Sequence, residues 1–83
     1  MSAKCRIYLI PNRDKGLTDL FIKAIFSHTN KIIFVTDTKL ADCEIDISAC
    51  NGANDIRSEA ESSAGVCNGI VNFNHKKKKN AKR

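Results

Sequence analysis

The stretch Lys31-Ile32-Ile33-Phe34-Val35-Thr36-Asp37-Thr38-Lys39-Leu40-Ala41-Asp42-Cys43-Glu44-Ile45-Asp46-Ile47-Ser48-Ala49 decides how this chain folds. Its first part, residues 31–36, has a continuous apolar centre from Ile32 to Val35 and predicts a strand. Its last part alternates. Cys43, Ile45, Ile47 and Ala49 fall on one side, and Glu44, Asp46 and Ser48 on the other, the period of a half-buried strand. Only residues 37–42 join the two. A parallel crossover usually takes a dozen residues or more, so this short link argues for antiparallel strands. The apolar centre of the first strand argues the other way, since such runs suit parallel sheets covered on both faces.

Working outward, residues 4–10 alternate as well, with Cys5, Ile7 and Leu9 against Lys4, Arg6 and Tyr8. Pro11 ends this strand, and Asp14 is a candidate N-cap. Leu17, Leu20, Phe21, Ala24, Ile25 and His28 then follow helical spacing and predict a helix over 17–28. On the far side, Ile56, Ala60, Ser63, Ala64 and Cys67 form a small-residue face and predict a second helix over 54–66. Ser58 and Glu61 have the spacing of a capping box, which would start that helix later. Asn68-Gly69 reads as a turn, and 70–74 as a last strand. The order β-α-β-β-α-β is that of a ferredoxin-like two-layer α+β sandwich. A small doubly wound α/β sheet is the second choice. In the sandwich, Lys4 and Arg6 would face Glu44 and Asp46 across neighbouring antiparallel strands.

The formal net charge of +5 is unevenly placed. Residues 1–40 carry a net of +4, residues 41–74 a net of −5, and residues 75–83 a net of +6. The expected organisation is therefore an α/β domain over 1–74 and a disordered, flexible basic tail over 75–83. Lys76, Lys77, Lys78, Lys79, Lys82 and Arg83 are the candidate nucleic-acid-binding residues. Lysine meets phosphate as a point charge, so such binding would be salt-dependent and would not read sequence. The same run also suits an acidic protein patch, a nuclear address or a solubilising role. The body offers no stacking platform of the RNA-recognition type, because Tyr8 has no aromatic counterpart on the third strand. Its dipolar charge suits docking onto a protein partner or a second copy.

Cys5, Cys43 and Cys67 fall at inward positions and read as small buried hydrophobes, and Cys50 as the most exposed thiol. No spacing recommends a metal site, including a Cys43/Cys50/Cys67/His75 set, and no cofactor is expected. His28 reads as a partner of the helix dipole. No apolar run approaches a membrane span, and the N-terminal residues do not read as a signal peptide. The expected location is intracellular, cytoplasmic or nuclear.

One resemblance is carried by Arg6-Ile7-Tyr8-Leu9-Ile10-Pro11, by Leu40-Ala41-Asp42-Cys43-Glu44-Ile45-Asp46-Ile47-Ser48, by Glu59 on the helix that follows, and by Asn68-Gly69-Ile70-Val71. Together these resemble the nucleoside 2-deoxyribosyltransferase family at scattered positions. The family's Gly-Thr before the catalytic glutamate and its glycine after it have no counterpart here. The resemblance implies a doubly wound fold, Glu59 as nucleophile with Asp55 beside it, and a nucleoside or nucleotide ligand.

The residues themselves favour a small non-enzymatic binding module whose basic arm contacts nucleic acid or another acidic surface. A regulator or inhibitor that docks through the body is the alternative. The nucleoside-binding reading comes third.

Overall fold

The computed structural model describes the backbone of residues 4–81 and the side chains of residues 4–73. Three strands, β1 (Cys5–Ile10), β2 (Ile32–Val35) and β3 (Cys43–Asp46), and two helices, α1 (Lys15–His28) and α2 (Ala53–Ala81), make up the fold. One turn of 3-10 helix, Thr38–Leu40, interrupts the link between β2 and β3.

The sheet is parallel throughout, in the order β2-β1-β3. The ferredoxin-like topology is therefore corrected. β2 pairs with β1 instead of β3, and there is no fourth strand among the described residues. The register explains how the short link suffices. Val35, the last residue of β2, lies level with Tyr8 of β1, and Cys43, the first of β3, lies level with Ile7. β3 is staggered toward the carboxyl end of the sheet, so the chain passes β1 sideways and hardly has to travel back along it. The dozen-residue rule assumes strands that start level.

Alternation along β1 sends Cys5 and Ile7 into one core cluster with Ile32, Ile45 and Ile47. Phe21 and Ile25 from α1, and Ile56, Ala60, Ala64, Cys67 and Val71 from α2, complete that cluster, so both helices share one face of the sheet. α1 begins at Lys15, two residues before the expected 17, directly after the expected cap Asp14. The Asp14 carboxylate accepts the Gly16 N–H at 2.9 Å and caps the first turn. The opposite face keeps Arg6, Ile33, Glu44 and Asp46 exposed, with Tyr8, Ile10 and Val35 half-buried. Phe34 meets Phe26 of α1 edge-on, ring centroids 5.9 Å apart.

α2 corrects two further expectations. It starts at Ala53, so Ser58 and Glu61 lie inside it and cap nothing. It also continues through 70–74, where a strand was expected. The reason is visible in its buried positions: Ile56, Ala60, Ser63, Ala64, Cys67 and Val71 keep one helical face turned to the core past Asn68-Gly69. Asn68 and Gly69 are exposed, and Gly69 has open space around it, so glycine there costs the helix about 1 kcal/mol and no packing. Asn68 serves as an anchor, its side-chain oxygen accepting the Thr29 hydroxyl at 3.1 Å at the end of α1. At 29 residues α2 is about 43 Å long, which accounts for most of the 48 Å length of the molecule. Its backbone is described through Ala81, and the side chains of the basic tail expected from residue 75 lie outside the described residues.

Candidate functional site

In open parallel sheets, ligands bind beyond the carboxyl ends of the strands, where the chain reverses its direction across the sheet. Here the chain goes from β1 out to β2 and then returns past β1 to β3. The reversal lies between β1 and β3, and the loops after those strands, 11–14 and 47–52, flank it.

Asn12 ties these two loops together. It is buried, and its amide Nδ2 donates to the carbonyls of Ile47 and Cys50, each at 2.9 Å. Its Oδ1 accepts the Asp14 N–H at 2.9 Å, and its own N–H donates to the Thr18 hydroxyl at 3.0 Å. In this stretch the sequence singles out Pro11 and Asp14 and passes over Asn12. Its only signal was its position, directly after the proline that ends a strand.

Beside this tie lies an open cleft of about 310 Å³, lined by Asp46, Ala49, Cys50, Asp55, Ser58 and Glu59. It brings together the two residues that the family resemblance singled out, Asp55 and Glu59, and adds Asp46. The Asp46 carboxylate accepts the Ser48 hydroxyl at 2.6 Å and the Ser48 N–H at 2.8 Å, which hold it below the usual carboxylate range. Asp55 accepts the Asn51 N–H at 3.1 Å. The Cys50 thiol, half-buried, is pushed up by burial first and then by the charges of Glu59, Asp55 and Asp46. A thiol so placed is a poor nucleophile. The cleft is acidic, so it attracts cationic groups and hydrogen-bond donors and repels phosphate.

A second groove, about 220 Å³, continues from the cleft along the outer edge of β3. All four β3 residues line it, facing Glu59, Ser62, Ser63 and Val66 of α2. β3 is the last strand of the sheet on this side, so its outward N–H and C=O groups have no strand partner among the described residues. Val66, 54% exposed, adds an apolar side chain to the groove wall beside Cys43 and Ile45.

The charge pairing expected across β1 and β3 is replaced. The parallel register sets Tyr8 opposite Glu44 and Ile10 opposite Asp46. Arg6 pairs with Asp42 instead. The Arg6 N–H donates to the Asp42 carboxylate at 2.8 Å, its guanidinium Nε lies 3.5 Å from the same oxygen, and the Asp42 N–H donates to the Arg6 carbonyl at 2.7 Å.

His28 ends α1, as its position in the helical stripe implied, and lines an open cleft between the helices with Lys23, Arg57 and Glu61. Cys5 and Cys67 are fully buried and Cys43 half-buried, in keeping with their inward reading. The Cys43/Cys50/Cys67/His75 grouping is not the one the fold makes. Cys43 and Cys67 converge with Cys5, leaving Cys50 in the acidic cleft, and the His75 side chain lies outside the described residues. The basic candidates Lys76, Lys77, Lys78, Lys79, Lys82 and Arg83 also lie outside the described side chains. Among the described residues, no helix is long and apolar enough to cross a membrane. No known protein family, curated protein or solved structure matches this chain.

Proposed function

We propose that this chain is a small binding module without catalytic activity, and that its folded body docks a protein partner along the outer edge of β3. The observation that carries this reading is the edge of β3, unpaired among the described residues, with an acidic groove beside it. An extended segment laid there would add a fourth strand, with main-chain hydrogen bonds for affinity and side-chain pockets for specificity. Glu44, Asp46 and Glu59 favour a segment bearing lysine or arginine. They disfavour pairing with the same edge of a second copy, which would set like charges together. The basic run over 75–83 adds contact with nucleic acid or another acidic surface, in a salt-dependent way.

A pull-down with full-length chain and with a chain lacking 75–83, each with and without nuclease, separates the two contributions. The docking reading expects protein capture to survive truncation and nuclease, and to be lost in the charge-reversed variant Glu44→Lys/Glu59→Lys. Capture that disappears with the tail, or with the nucleic acid, sinks it.

The meeting of Asp55 and Glu59 in the cleft at the carboxyl end of the sheet favours a second reading, a nucleoside-binding protein. A nucleoside should then raise the melting temperature, and Glu59→Gln should remove the shift. No shift in the unmodified protein rejects this reading.

A further inference from the structure

Three sulfurs meet inside the molecule. Cys5 from β1, Cys43 from β3 and Cys67 from α2 place their Sγ atoms within 4.8 Å of one another. Taken singly, each is a small buried hydrophobe. Taken together they are three soft donors delivered to one point by three different elements.

We propose that Cys5, Cys43 and Cys67 form a binding site for a thiophilic divalent d10 metal ion, zinc or cadmium in character, held by three thiolates. Geometry, access and charge support it. A metal–sulfur distance of 2.3 Å in a near-trigonal arrangement sets the sulfurs about 4 Å apart. The thiols need to draw together by less than about 1 Å from their present upper separation. Two of the three side chains are sealed, but Cys43 is half-buried and lines the groove along β3, which gives the ion an entry path. Soft thiolates select zinc, cadmium and monovalent copper over hard cations. A divalent ion leaves one net negative charge in the apolar surroundings and a monovalent ion leaves two, so burial favours the divalent class.

Binding breaks three S–H bonds, sends three protons to solvent and forms three metal–sulfur bonds. The ion keeps its oxidation state. Burial, with Cys67 and then Asp42 adding to it, pushes the Cys5 thiol up to about 12; burial, with Cys5 and then Asp42 adding to it, pushes the Cys43 thiol up to about 11. Affinity should therefore fall steeply as pH is lowered, because the ion must displace tightly held protons.

The test is a titration of the reduced full-length chain with cadmium, followed by sulfur-to-metal charge-transfer absorption. The band should saturate at one ion per chain. Cys43→Ser, at the least buried of the three positions, should weaken binding by at least about 10-fold, and Cys50→Ser should leave it unchanged. Circular dichroism establishes that each variant is folded. A second measurement needs no variant: in alkaline buffer, where Cys43 of the unmodified chain is alkylated at a measurable rate, cadmium should slow that reaction and leave the rate at Cys50 unchanged. Absence of the band, equal alkylation of Cys43 with and without cadmium, or loss of binding in a folded Cys50→Ser chain would overturn the proposal.

Discussion

One face of the sheet, carrying Cys5, Ile7, Ile32, Ile45 and Ile47, is sealed by α1 and α2. The other, carrying Arg6, Ile33, Glu44 and Asp46, is covered by no helix among the described residues. Both faces are made by the same strands, and the parity of a residue number decides which face a side chain joins. The sealed face holds the molecule together. The open face is less buried, with Tyr8, Ile10 and Val35 only half-covered, and the β3 edge beside it is where docking is proposed. Parallel sheets are seldom left bare on one side. Ile33, 47% exposed, belongs to this uncovered side.

The comparison can be broken in several ways. Alkali should act most strongly, because it reaches three sealed-face thiols at once. Their pKa values are raised in the folded chain above the ordinary 9.0, to about 12 for Cys5 and about 11 for Cys43. The stability they contribute is complete below pH 9 and is lost as pH rises through the folded values. Denaturant unfolding of the metal-free chain should show this decline, and a flat profile to pH 11 would show that the fold does not raise these thiols. Next in size is Ile7→Ala, which opens a cavity on the sealed face and should cost about 2–5 kcal/mol in urea unfolding. Asn12→Ala removes the tie between the β1 and β3 loops and leaves buried carbonyls unpaired, for about 1–3 kcal/mol. Gly69→Ala should stabilise the chain by up to about 1 kcal/mol, because Gly69 sits in open space within a helix. Destabilisation there would favour the Asn-Gly turn. Smallest of all, Ile33→Ala on the open face should stay within about 0.5 kcal/mol, in contrast to Ile7→Ala.

Much of the sealed face was legible in the sequence. Period two placed Cys5, Ile7, Ile45 and Ile47 inward, and helical spacing found Phe21, Ile25, Ile56, Ala60 and Ala64. The Asp14 cap was readable because capping is local chemistry. Strand direction was not, because it depends on register. The two-level stagger between Cys5↔Ile32 and Ile7↔Cys43 leaves no local mark, yet it is what lets a short link join parallel strands. The end of α2 was misread because Asn68-Gly69 is turn chemistry by composition. Val71 was also assigned to a strand, when it extends the buried face that Cys67 had already reached. Asp55 and Glu59, the two residues named by the family resemblance, both line the cleft. Asn12, and the convergence of Cys5 with Cys43 and Cys67, depended on pairings between distant segments that only the fold makes.

Amide hydrogen exchange of the free chain, resolved residue by residue, tests the account most directly. β1 is bonded on both sides, so the amides of Ile7 to Leu9 should exchange slowest, and β3 amides directed away from β1 should exchange far faster. Protection of β3 on both sides in the free chain would contradict the account, because it would mean that the edge proposed to receive a partner is already paired.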